Sequence, residues 1–92
     1  MMPRVERIKQ LLTSSLEPTT IQVVDDSASH AGHSGVREHG GGHFQVLIVA
    51  TKFTDMNTLK RHQMVYRSLE SMMQTDIHAL SIQALTPDEL KA

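Results

Sequence analysis

Val5, Ile8, Leu11, Leu12 and Leu16 fall at the three- and four-residue intervals of one helical face, with Arg4, Arg7, Lys9 and Gln10 between them. The spacing predicts a first helix that ends before Pro18, because the residue preceding a proline is pushed out of helical geometry. Residues 21–26 read as a short strand, rich in β-branched side chains and closed by the turn formers Asp25 and Asp26. Residues 44–50 are apolar on both faces apart from Gln45, the pattern of a central strand covered on each side.

Beyond that strand, Asn57 or Thr58 can cap a second long helix, whose apolar stripe is Leu59, His62, Tyr66, Leu69 and Met73, widened by Val65 and Met72. Gln74, Thr75 and Asp76 end it. Residues 77–84 form a third strand, in which alternation puts His78 on the face of Leu80 and Ile82. Thr86 and Glu89 then make a capping box, with Pro87 at the first helical position. The order α-β-β-α-β-α implies an α+β fold: one small domain with a three-stranded mixed sheet and helices packed on it. The first two strands are expected to be antiparallel, and the third, reached across a helix, parallel to its neighbour.

Composition narrows the picture. A chain of 92 residues is one small domain, burying roughly 60–65% of its unfolded surface. With no Trp, one Tyr and two Phe, its core must be aliphatic, with six Met as adaptable filler. There is no cysteine, hence no disulfide, no thiolate nucleophile and no self-sufficient cysteine metal site. That suits a reducing compartment, and a cytoplasmic location is expected. The first seven residues hold no apolar signal-peptide core, and the longest apolar run, residues 46–50, is too short to cross a bilayer. The net charge of −1 lacks the basic excess usual in nucleic-acid domains. Lys60, Arg61 and Arg67 on the second long helix are the only grouping that offers a weak nucleic-acid surface. No Ser/His/Asp order, phosphate loop or paired carboxylates stand out, so no enzyme is expected.

Four of the six histidines, His30, His33, His39 and His43, stand in one Gly-rich stretch between the first two strands. Imidazole is the commonest protein metal ligand. The His/Gly loop, at about residues 27–43, is expected to be mobile. Its glycines leave the ligand geometry open, and each of these imidazoles also fits a plain solvated loop. His78 taken alone reads as a core histidine near a strand end.

Several segments together resemble the BolA family. They are residues 24–27 with His30, Ala31, Gly32 and His33; Gly42, His43 and Phe44 with Val46, Ile48 and Val49; Arg61 and His62 with Val65, Tyr66 and Leu69; residues 77–81; and residues 85–89. The likeness runs from about residue 5 to residue 90. Thr54 and Asp55 depart from it, where relatives often have a glycine.

The resemblance implies a fold like a class II KH domain. It further implies a non-enzymatic adaptor in iron–sulfur cluster trafficking or iron sensing, which partners a monothiol glutaredoxin. A 2Fe–2S cluster would be shared with that glutaredoxin and glutathione, and none is expected in the isolated chain. The implied ligands are His78 and a loop histidine, with His30 the best match and His33 and His43 its rivals. The alternative implied role is a DNA-binding transcriptional regulator using the KH-like surface. No membrane partner is implied, and weak self-association stays open.

Overall fold

The computed structural model describes residues 2–27 and 42–91. Helix α1 (Arg4–Leu16) buries Ile8, Leu12 and Leu16, one residue per turn of the predicted stripe. It stops at Glu17, which takes a left-handed backbone (φ 48°) and donates its N–H to Thr13 O at 3.1 Å. Pro18 prevents continuation.

Strands β1 (Thr20–Asp25), β2 (Gly42–Val49) and β3 (Ile77–Leu85) form a single sheet in the order β1-β2-β3. β1 runs antiparallel to β2, from Thr20 opposite Val49 to Asp25 opposite Phe44, and β2 runs parallel to β3. Both directions agree with the expectation.

Among the described residues, the helices pack on one face of the sheet. Phe44, Val46 and Ile48 point into a core shared with Ile8, Leu12 and Leu16 of α1 and with Val65, Leu69 and Met72 from the crossover helices. On the other face the register sets Leu47 between Gln22 and Gln83, and Gln45 between Val24 and Ser81. Val24 is 53% exposed there. The expectation that β2 is covered on both sides is therefore corrected. Its apolar run misleads because Leu47 sits between two amides, while Val49 is buried at the strand's far end.

A 3-10 turn that the sequence reading did not foresee (Thr51–Phe53) drops Phe53 fully into the core. It is followed by Asp55 at φ 66°, a backbone region that glycine occupies without strain. This gives a physical meaning to the Thr54–Asp55 departure from the family pattern.

Helix α2 (Thr58–Ser68) is capped by Asn57, whose Oδ1 accepts from Lys60 N at 2.9 Å. The predicted long helix breaks at Leu69, and α3 (Glu70–Met73) follows. Its stripe is also narrower than the spacing implied: Val65, Leu69 and Met72 are buried, whereas Leu59 is 66% and Tyr66 40% exposed. Val65, Leu69 and Met72, four and three residues apart, keep one buried face across the break at Leu69.

Helix α4 (Pro87–Lys91) opens with the predicted capping box: Thr86 Oγ1 accepts from Glu89 N at 3.3 Å, and Glu89 Oε1 from Thr86 N at 2.8 Å. Among the described residues, no helix is long and apolar enough to cross a membrane.

Candidate metal-ligand site

Because β2 and β3 are parallel, their N-terminal ends lie side by side. Gly42 pairs with Ile77, but the next pair is His43 with Ala79, so β3 carries one extra residue at this point. That residue is His78, and the irregularity is a β-bulge. Ile77 is buried and Leu80 packs against the same core, with two residues between them instead of one. His78 is thereby turned out to solvent. Strict alternation had placed it on the face of Leu80 and Ile82; the bulge corrects that reading, which no count of sequence period could reveal.

His43 lies on the open face of the sheet, half-buried between the buried Gly42 and Phe44. Its ring centroid stands 5.3 Å from that of His78, with the planes tilted by 48°. Two imidazoles bound at about 2.0–2.1 Å to one tetrahedral metal bring their centroids to about 5 Å of each other. The observed separation matches that demand, and neutral imidazole is the right donor for a transition metal. Among the described residues no third His, Cys, Asp or Glu joins them. The described residues thus bring together two imidazoles, fewer than the four donors of a closed metal site. Beside the pair, a shallow depression of about 320 Å³ on the open face is lined by Asp26, His43, Gln45, Ala79 and Ser81 among others.

The backbone under the two rings is firmly held. His43 O accepts from Asp26 N at 2.7 Å, and His43 N donates to Ser27 Oγ at 3.0 Å. Ser27 N donates in turn to Asp25 Oδ1 at 2.9 Å. Hydrogen bonds from the Ser27 hydroxyl and then its amide hold the Asp25 carboxyl below the usual aspartate range. On the other side, Gly42 N donates to Asp76 O at 3.0 Å, two residues before His78. The Asp76 carboxylate is gripped by Arg7 at 3.0 Å and Arg4 at 3.5 Å, which ties this end of the sheet to α1. Ser27, Gly42 and Asp76 were not singled out from the sequence as site residues, although an Asp with a Ser two residues on is a recognisable turn signal.

His30, His33 and His39, and the mobility expected of their loop, lie outside the described residues. Of the basic residues, Lys60 and Arg67 are exposed on α2. Arg61 is not: its side chain is 12% exposed and engaged at the opposite end of the strands. It donates to Met56 O (2.8 Å), to Ala84 O (3.0 Å) and to both oxygens of Glu89 (2.6 and 3.2 Å). That guanidinium, followed by the Thr86 amide, lowers the Glu89 carboxyl to about 2.

The family described as BolA-like protein matches residues 12–89. The chloroplastic protein BOLA1 of Arabidopsis thaliana is 42% identical over 88 residues, covering 94% of this chain and 55% of that protein. This chain therefore spans about half the length of that relative. The DNA-binding transcriptional regulator BolA of Escherichia coli (strain K12) is 34% identical over 84 residues, covering 91% of this chain and 76% of that protein. The solved structure of BolA1 from Arabidopsis thaliana matches with a TM-score of 0.82 at 39% identity, covering 97% of each chain.

Proposed function

The chain belongs to the BolA-like protein family, and on that premise we propose that it is a non-enzymatic adaptor in iron–sulfur cluster trafficking or iron sensing, docking on a monothiol glutaredoxin. The observation that carries this reading is the pairing of His43 with His78 at a spacing suited to one metal. The two imidazoles are its ligands to a 2Fe–2S cluster. The absence of cysteine supports a shared site, since thiolates from glutaredoxin and glutathione must complete it. Imidazole in place of thiolate makes such a cluster less negative and raises its potential. His78, exposed on its bulge, is the ligand open to a partner. His43, whose ring stands 5.3 Å from that of His78, is the loop-side ligand we propose; His30 and His33 lie outside the described residues. Reduced thiols suit this role, and the cytoplasm is the compartment we propose.

A second reading rests on the name of the Escherichia coli relative, a DNA-binding transcriptional regulator. The charges favour it less. Arg61 is engaged with Glu89, Arg4 and Arg7 with Asp76, Lys9 with Glu6 and Lys52 with Glu17. Lys60 and Arg67 remain exposed on α2, but β1, β2 and β3 contain no Lys or Arg that would aim phosphate at the open sheet face.

Titration with cluster-loaded monothiol glutaredoxin tests the two readings together. The adaptor reading expects a one-to-one complex with a changed visible circular dichroism spectrum. That spectrum should be lost in His78→Ala, and should weaken more in His43→Ala than in His30→Ala or His33→Ala. No complex, together with sequence-selective DNA binding that falls steeply with salt, would replace the adaptor by the regulator.

A further inference from the structure

The antiparallel ladder between β1 and β2 ends in an unusual way. Its last register pair is Asp25 with Phe44. One step further, Asp26 N still donates to His43 O, but the His43 N–H goes to the Ser27 side chain rather than to a backbone carbonyl. Asp25 fixes that side chain by accepting from the Ser27 amide. The hydroxyl therefore stands in for a strand partner at the one position where β1 leaves the sheet and His43 must stay in it.

Gly42 makes room for this contact. A Cβ built there would lie 2.8 Å from Ser27 Oγ and 2.8 Å from the Phe44 ring. Phe44 is a core side chain and cannot yield, so any larger residue at 42 must displace Ser27 or the strand start itself. The same Gly42 donates to Asp76 O beside His78. One residue thus links the support of each ring.

We propose that Ser27 is a positioning residue of the histidine pair: its hydroxyl, seated over Gly42, pins the His43 backbone so that the His43 ring is held against His78. The proposal rests on the metal-ligand reading above, in which the spacing of the two rings decides whether both reach one metal. Groups that orient metal ligands without touching the metal typically matter by about 10–100-fold in affinity.

The test uses Ser27→Ala, Ser27→Thr and Gly42→Ala, each checked for native amide dispersion by NMR. In the metal-free chain, the nuclear Overhauser effect between the His43 and His78 ring protons reports the pair directly, which global stability does not. It should fall several-fold in Ser27→Ala and Gly42→Ala, with cross-strand contacts of β2 and β3 kept, and should persist in Ser27→Thr, which retains a hydroxyl. The complex with cluster-loaded glutaredoxin should be about tenfold weaker in the first two variants. Ser27→Ala deletes one atom, so it decides the matter even if Gly42→Ala does not fold. An unchanged inter-ring effect in folded Ser27→Ala overturns the proposal. If the rings separate while the complex keeps its affinity, Ser27 does position the pair and the cluster reading is what fails.

Discussion

The parallel strands β2 and β3 start beside two histidines and finish beside one arginine, and the two ends are built differently. At the finish, the Arg61 guanidinium bonds two carbonyls and both oxygens of Glu89, and stands 5.9 Å from the centre of the Phe53 ring. Its donors are engaged within the chain, and 12% of its side chain meets solvent. At the start, the ties run to backbone groups: Ser27 and Asp26 hold His43, and Asp76 holds Gly42. There the His78 ring is carried outward on a bulge. The contrast separates polar residues that close a fold from polar residues that a fold presents. What distinguishes them is exposure: the Arg61 side chain is 12% exposed, whereas His78 is turned out to solvent over a backbone held by hydrogen bonds.

The largest expected effect lies at the presenting end. His78→Ala should abolish the cluster spectrum of the glutaredoxin complex while moving the unfolding free energy by no more than about 0.5 kcal/mol, as for other exposed positions. A large drop in melting temperature with an intact spectrum would make His78 a structural residue and erase the contrast.

Arg61→Ala should do the reverse. It leaves Met56 O and Ala84 O without their donor, and should cost about 2–3 kcal/mol in urea denaturation. The complex spectrum should be retained. Arg61→Lys should recover only part of the loss, because an ammonium cannot reproduce the forked contacts.

Away from both ends, Glu17→Gly relieves a left-handed backbone at the close of α1 and should gain about 0.5–1 kcal/mol. The ion pair to Lys52 that it removes is highly exposed, and exposed pairs contribute little.

The smallest effect is an acid one at the closing end. Glu89 has its pKa lowered from 4.5 to about 2, so its contribution is present above pH 4.5 and is lost as pH falls from there through about 2. Glu89→Gln should flatten that part of the stability–pH curve, read by thermal melts between pH 5 and 2. The His43–His78 contact should not change over the comparison of wild type and variant at neutral pH.

Local signals were legible because they depend on near neighbours. The stripe of α1, the Asn57 cap and the Thr86–Glu89 box each stand where the sequence places them, since helix starts and stops are settled within about one turn. The parallel direction of β3 followed from the helix that separates it from β2. Where the reading departed from the structure, a distant partner made the decision. Leu59 had helical spacing but is 66% exposed, and Tyr66 is partly covered with its hydroxyl donating to Leu80 O. Leu47 had an apolar neighbourhood in sequence but amides beside it in space.

By itself, then, the sequence determined the α+β order, the mixed three-stranded sheet, the family, and His78 with a loop histidine as candidate ligands. The element order and the sheet rest on periodicity and local turn chemistry, whereas the histidine pair entered only through the resemblance to the BolA family. Tertiary structure decided which face of the sheet stays open, that His78 sits on a bulge, and that the ring beside it is His43. It also gave Arg61, which helical spacing already turns aside from Lys60 and Arg67, its partners Ala84 O and Glu89. Each of these depends on register between segments more than 15 residues apart. A single residue's shift in that register moves a side chain to the opposite face, and no local rule along the chain encodes it.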